Sequence, residues 1–232
     1  FVVSGSLTTI GGGGFSPWLL ATRLADMGCH VTAFTCHTHD LPPSDSYPPR
    51  LRIVMPRMNR GYRWQLPDRL LIRQVVRAAG RTQPAFLVNV GLTFHTRLLL
   101  RSSIAAQTIV WENIDADPTL HLIDAKAASF IGRCRFMLSP APSVDRCIRT
   151  GYGYTGEIRR LPFWVEPSPP EGRQIDGICS DFLFLARKDP YKGFDSSFQA
   201  ISRIRHQTGR TPRICVAGPG PDEWLQESAC KH

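Results

Sequence analysis

The sequence predicts an α/β protein built on parallel sheet, and two observations carry that expectation. Short apolar runs of strand length alternate with segments of helical periodicity along the chain, the pattern of strand–helix–strand units. The run Phe182-Leu-Phe-Leu-Ala186 is apolar at every position, as a strand covered on both faces requires. Phe1-Val-Val-Ser-Gly5 reads as the first strand, residues 15–27 as a helix and His30-Val-Thr-Ala-Phe-Thr35 as the second strand. Arg52-Ile-Val54 is a short third strand, and residues 70–79 have apolar i, i+3/i+4 spacing until Pro84 stops the helix. Strands at 85–90, 108–111, 136–139 and 157–161 then alternate with helical segments at 94–104, 118–130 and 142–150. From Pro162 the pattern breaks, with prolines at 162, 167, 169 and 170, which marks a linker. Beyond it come the Phe182 strand, a helix with Phe198, Ile201 and Ile204 on one face, a strand at 213–217 and the start of another helix.

These elements divide the chain into residues 1–162, long enough for a doubly wound core, a Pro-rich linker at 163–176, and a shorter α/β segment at 177–232. The sequence starts within a strand and stops soon after the second strand of its second sheet, so that segment is expected to be part of a domain. No apolar run approaches twenty residues and no signal-peptide pattern is present, which points to a cytoplasmic protein. Seven cysteines without C-x-x-C spacing read as reduced core thiols. The net charge of +9 comes from arginine, densest between 50 and 81, since lysine stands only at 126, 188, 192 and 231. That stretch suits either a solvated helix face or peripheral contact with an anionic inner-leaflet surface. No helix-turn-helix, zinc finger or RNP strand is visible, so nucleic acid is not an expected partner.

Two turns carry candidate chemistry. Gly11-Gly12-Gly13-Gly14 lies between the first strand and a helix that carries Pro17 in its first turn, where glycines let backbone N–H groups approach a ligand. The spacing is not G-x-G-x-x-G, and Thr35-Cys-His37 at the end of the second strand offers no carboxylate for a ribose. The second turn is Arg187-Lys-Asp-Pro-Tyr-Lys192-Gly193, where a strand hands over to a helix N-terminus. A helix start favours anions, Arg187 adds a planar fork and Lys192 a point charge, so the turn reads as an anion clamp. Glu112 and His95 follow predicted strands and face the same edge, while Asp115, Asp117 and His121 match no metal template.

In order and spacing these motifs resemble glycosyltransferase family 4, the group 1 glycosyl transferases of GT-B fold. The glycine loop followed by Ala21-Thr-Arg-Leu-Ala-Asp-Met-Gly28-Cys-His-Val-Thr is similar to that family's loop, helix and second strand. Residues 138–151 resemble the segment closing its first domain, and Arg160-Leu-Pro-Phe-Trp-Val-Glu-Pro its crossover. Arg187 and Lys192-Gly193 match its R-x4-KG, and Val216-Ala-Gly218-Pro-Gly220-Pro its VGxGP turn. The resemblance implies two Rossmann-like doubly wound domains, the second only partly present. It implies retaining, metal-independent transfer of a sugar from a nucleotide diphosphate-sugar to an acceptor hydroxyl, with no cofactor. Arg187, Lys192 and Gly193 would hold the donor diphosphate, and Gly218 and Gly220 would turn toward the nucleotide. Gly12, Gly13 and Gly14 would line the cleft, His95 would stand on the acceptor side, and Glu112 would take the family's catalytic-side position. The departures are Glu112 where the family often has His, and Phe163-Trp164 in place of the crossover Asn-Gly. The family's E-x7-E motif would lie beyond His232, so this stretch alone is expected to be inactive and to bind nucleotide-sugar weakly. A nucleotide-sugar epimerase and a non-catalytic binding module are the alternatives, and sugar, nucleotide and acceptor stay open.

Overall fold

The computed structural model describes residues 1–9, 14–56, 66–113, 125–163, 180–186, 192–218, 220 and 222–230. The chain divides into two compact units, Phe1–Val165 and Glu166–His232.

The first unit is a seven-stranded sheet of β1 (Val2–Thr8), β2 (Val31–His39), β3 (Leu51–Val54), β4 (Leu87–Val90), β5 (Thr108–Trp111), β6 (Phe136–Ser139) and β7 (Ile158–Arg160). Its strand order is β3-β2-β1-β4-β5-β6-β7, and every neighbouring pair is parallel. Successive residues of one strand enter opposite cores, because side chains alternate across a sheet. Val2, Val88, Ile109 and Phe136 join one apolar cluster, with Trp18, Leu20, Ala21 and Ala25 of α1 (Phe15–Asp26) packed against it. On the other face, Val3, Phe34 and Leu87 meet Leu71, Ile72, Val75 and Ala79 of α2 (Leu66–Thr82) and Leu99 of α3 (Phe94–Leu100). Val110 and Met137 continue that face against Ala127 of α4 (Ala125–Ala128) and Val144 of α5 (Pro142–Arg146). Burying each such side chain stabilises the fold by about 1.5–3 kcal/mol.

Several boundaries differ from the sequence expectation. β1 runs through Thr8 instead of ending at Gly5, because Leu7 is 1% exposed and Ser6, Leu7 and Thr8 pair with His37, Thr38 and His39. The helix expected at 94–104 stops at Leu100, where Arg101 caps it and the Ser102 hydroxyl accepts from the backbone N–H of Ile104 ahead of the 3-10 segment Ala105–Gln107. The helix expected at 142–150 passes at Cys147 into a π-helical turn, Cys147–Gly151. Most of the expected 118–130 helix lies outside the described residues, leaving Ala125–Ala128.

The second unit pairs β8 (Phe182–Leu185) and β9 (Ile214–Ala217) in parallel beside α6 (Phe194–Thr208) and α7 (Glu223–Cys230). Phe184 packs on Phe194 with ring centroids 4.1 Å apart, and Phe194 is 1% exposed. Leu183 and Leu185 point the other way and are 64% and 78% exposed, so among the described residues β8 is covered on one face. The five-residue apolar run Phe182–Ala186 anticipated a strand covered on both.

Candidate functional site

From β1 the chain first builds outward through β2 to β3, then returns to add β4 on the other side of β1. The topological switch point therefore lies between β1 and β4, where open α/β sheets bind ligands beyond the carboxyl ends of their strands. On the β1 side, Gly12 and Gly13 lie outside the described residues. Gly14 precedes α1 at φ −88°, a conformation open to any residue, yet a Cβ there would stand 2.8 Å from Thr8 Cγ2 and 3.0 Å from Ser6 Oγ. Glycine is required at 14 because the loop's end packs directly on β1. Gly14→Val is accordingly expected to destabilise the protein by about 1–3 kcal/mol in urea unfolding, as overpacking does.

On the β4 side a polar network shapes the turn. Asn89, fully buried in β4, donates from Nδ2 to Gly91 O at 3.1 Å and to Thr96 Oγ1 at 2.7 Å. Thr96 Oγ1 accepts from the backbone N–H of Thr93 at 3.0 Å, which starts α3. Gly91 N–H donates to Trp111 O at 2.7 Å and Leu92 N–H to Glu112 Oε2 at 2.9 Å, tying the loop after β4 to the loop after β5. Glu112 Oε1 accepts from the backbone N–H of Asn113 at 2.8 Å. With 1% exposure, Glu112 stands as the bolt between these loops. Tyr152, at the end of the π turn, has its phenol pushed above the usual range by burial first, then by the charge of Glu112 and by Cys147. Its hydroxyl has no hydrogen-bond partner among the described residues.

His95, in the first turn of α3, is 6% exposed and its Nε2 lies 2.6 Å from Asp68 Oδ1 in the first turn of α2. Gly5 makes room for the ring: a Cβ on Gly5 would come within 3.3 Å of His95 Cε1. Cys36 of β2 places Sγ 3.5 Å from Asp68 Oδ1 and 3.6 Å from His95 Nε2. Burial foremost, then the charge of Asp68 and the hydrogen bond to it, push the Cys36 thiol up to about 12. Burial alone would raise Asp68; hydrogen bonds from His95 and Cys36 and the nearby histidines outweigh it and hold the carboxyl below its usual value. Of the cysteines expected in the core, Cys134 is buried, Cys36 half-buried, and Cys29 and Cys230 exposed.

In the second unit, Arg187 lies outside the described residues. Lys192 is exposed, and Gly193 takes φ 77° as the residue preceding α6, with open space where a Cβ would stand. Its glycine is therefore demanded by backbone conformation. Gly193→Ala is expected to cost about 1 kcal/mol in thermal unfolding, through the left-handed backbone alone. Gly218 and Gly220 after β9 hold φ of 151° and 127°, which side-chain-bearing residues rarely adopt.

Sequence reasoning named His95 and Glu112 but missed Cys36, Asp68 and Tyr152. Cys36, Asp68 and His95 come from three separate elements, so no spacing motif links them. The one local sign was Gly5 within the first strand.

No protein-family model matches the chain, and no curated protein matches it. Among solved structures it is similar to the crystal structure of WaaG, a glycosyltransferase involved in lipopolysaccharide biosynthesis. That match has a TM-score of 0.65 at 14% identity and covers 100% of this chain and 67% of that chain. The likeness shows the fold: an α/β protein of Rossmann-like parallel sheets in the GT-B class.

Proposed function

We propose that this chain belongs to a glycosyltransferase that moves a sugar, with retention and without a metal in the transfer step, from a nucleotide diphosphate-sugar to an acceptor hydroxyl. The turn after β8 carries this reading: Gly193 in the left-handed region opens the N-terminus of α6 with Lys192 beside it, on a fold shared with a glycosyltransferase. As the bond from the sugar to the diphosphate breaks, negative charge gathers on the leaving group, the acceptor oxygen bonds to the freed sugar carbon, and its proton passes to an oxygen of the departing diphosphate. Arg187, Lys192 and the helix N-terminus oppose that charge most where it is largest, in the transition state. On this reading Gly218 and Gly220 shape the nucleotide-side turn. Glu112 serves by holding the loops after β4 and β5, since its carboxylate already accepts two backbone N–H bonds. His95, buried and bound to Asp68, would support the acceptor side by position and not by direct contact. The test is incubation with nucleotide-sugars and acceptor glycans or lipids, quantifying nucleotide diphosphate. Acceptor-dependent release supports transfer; free nucleotide with a rearranged sugar in the absence of acceptor indicates an epimerase. Binding seen by saturation-transfer NMR without turnover indicates a binding module.

Among the described residues no helix is long and apolar enough to cross a membrane. Contact with an anionic membrane surface has separate support in α2, where Arg69, Arg73, Arg77 and Arg81 recur at every fourth position and are all exposed. Arg73 and Arg77 also line a groove of about 460 Å³ together with Arg52, Met55, Pro56 and Leu70. Each arginine near an anionic leaflet is worth about 1 kcal/mol, so Arg73→Gln with Arg77→Gln is expected to weaken binding to phosphatidylglycerol vesicles by roughly thirtyfold. Equal flotation of wild type and variant, or equal binding to neutral vesicles, would remove the membrane from the proposal.

A further inference from the structure

We propose that Cys36, Asp68 and His95 form a zinc site that pins β2 and the first turns of α2 and α3 together. The three candidate ligand atoms lie within 4.8 Å of one another. Zinc with Zn–S near 2.3 Å and Zn–N and Zn–O of about 2.0–2.1 Å, at tetrahedral angles, sets S···N and S···O edges at roughly 3.5 Å and an N···O edge at roughly 3.3 Å. Sγ to Nε2 is 3.6 Å and Sγ to Oδ1 is 3.5 Å, so two of the three edges already have tetrahedral length. The third, Nε2 to Oδ1 at 2.6 Å, is the length of a hydrogen bond and opens by roughly 0.7 Å when an ion replaces the shared proton.

Convergence on a single ring nitrogen separates this arrangement from a nucleophilic triad. In a triad the nucleophile and the carboxylate engage opposite nitrogens of the histidine. Here thiol and carboxylate both face Nε2, while Nδ1 faces Thr93 Oγ1 at 3.4 Å. That hydroxyl can accept the Nδ1 proton and fix the tautomer that leaves Nε2 for a metal, the role an outer partner plays for ligating histidines. A thiolate, an imidazole and a carboxylate together suit zinc and disfavour magnesium or calcium. On binding, the Cys36 thiol gives its proton to solvent and the ion's charge offsets the burial that holds the thiol neutral. The chain supplies three ligands, and a water would supply the fourth. Every ligand belongs to the first unit, and the site is separate from the transfer step proposed above.

The test uses the whole chain, stripped with chelator, then titrated with Zn²⁺ and with Co²⁺ as a spectroscopic reporter. One ion per chain is expected to bind, with the visible bands of tetrahedral cobalt and a thiolate-to-cobalt charge-transfer band. Cys36→Ser is expected to abolish that band, and His95→Gln and Asp68→Asn to weaken zinc binding by on the order of a hundredfold. Wild type provides a readout independent of variant folding: zinc should protect Cys36 from alkylation while Cys29 and Cys230 still label. Absence of the charge-transfer band, its survival in Cys36→Ser, or alkylation of Cys36 unchanged by zinc would overturn the site.

Discussion

Made in the full-length protein, Arg187→Ala and Lys192→Ala are each expected to slow sugar transfer by about a hundredfold while leaving the unfolding transition in place. A donor aimed at developing charge is worth about 10²–10³ in turnover, because it is fixed before the charge appears. Lys192 is exposed and precedes a left-handed glycine at a helix start, so its loss removes charge from the turn without opening the core. Arg187 lies outside the described residues and enters through its place in R-x4-KG between β8 and α6. The measurement is nucleotide diphosphate release at saturating acceptor, paired with thermal unfolding of each variant. Unchanged turnover in both variants would sink the clamp, and a collapse of stability equal to the loss of activity would make the turn a structural element.

The sheet was legible because its central strands are buried on both faces and therefore largely apolar in runs. Leu87-Val-Asn-Val90 and Thr108-Ile-Val-Trp111 are buried at every position and needed no alternation to be recognised. Where strand ends are set by pairing, sequence reasoning fell short. Ser6 and Thr8 are polar and resemble loop, and only the ladder to His37 and His39 extends β1 past Gly5. Likewise nothing in Cys147-Ile-Arg-Thr-Gly151 distinguishes a π turn from the last turn of an α-helix.

The site divides along the same line between local and long-range information. Gly193 declares itself locally, since a glycine ahead of a helical pattern and after a basic residue is a backbone signal. Gly14 was read as part of a loop that lets backbone approach a ligand, whereas the space it leaves is set against Thr8 and Ser6 of β1. The Cys36, Asp68 and His95 cluster is assembled by β2, α2 and α3 across 59 residues, and only the fold brings it together.

Glu112→Gln is expected to lower stability by about 1–3 kcal/mol, and Glu112→Ala by more, without a change of fold class. Oε1 and Oε2 accept backbone N–H groups of Asn113 and Leu92 in a place that is 1% exposed. Glutamine keeps one acceptor and turns an NH₂ toward the other N–H, while alanine leaves both donors to be desolvated without a partner. A residue that acts as proton acceptor instead would lose activity in Glu112→Gln with its unfolding midpoint unchanged. Urea unfolding beside transfer kinetics therefore separates the two roles. A stability loss in Gln, deepened in Ala and accompanied by faster hydrogen exchange at the Leu92 amide, is the result expected of a loop bolt. An inactive variant with wild-type stability and exchange would return Glu112 to the chemistry.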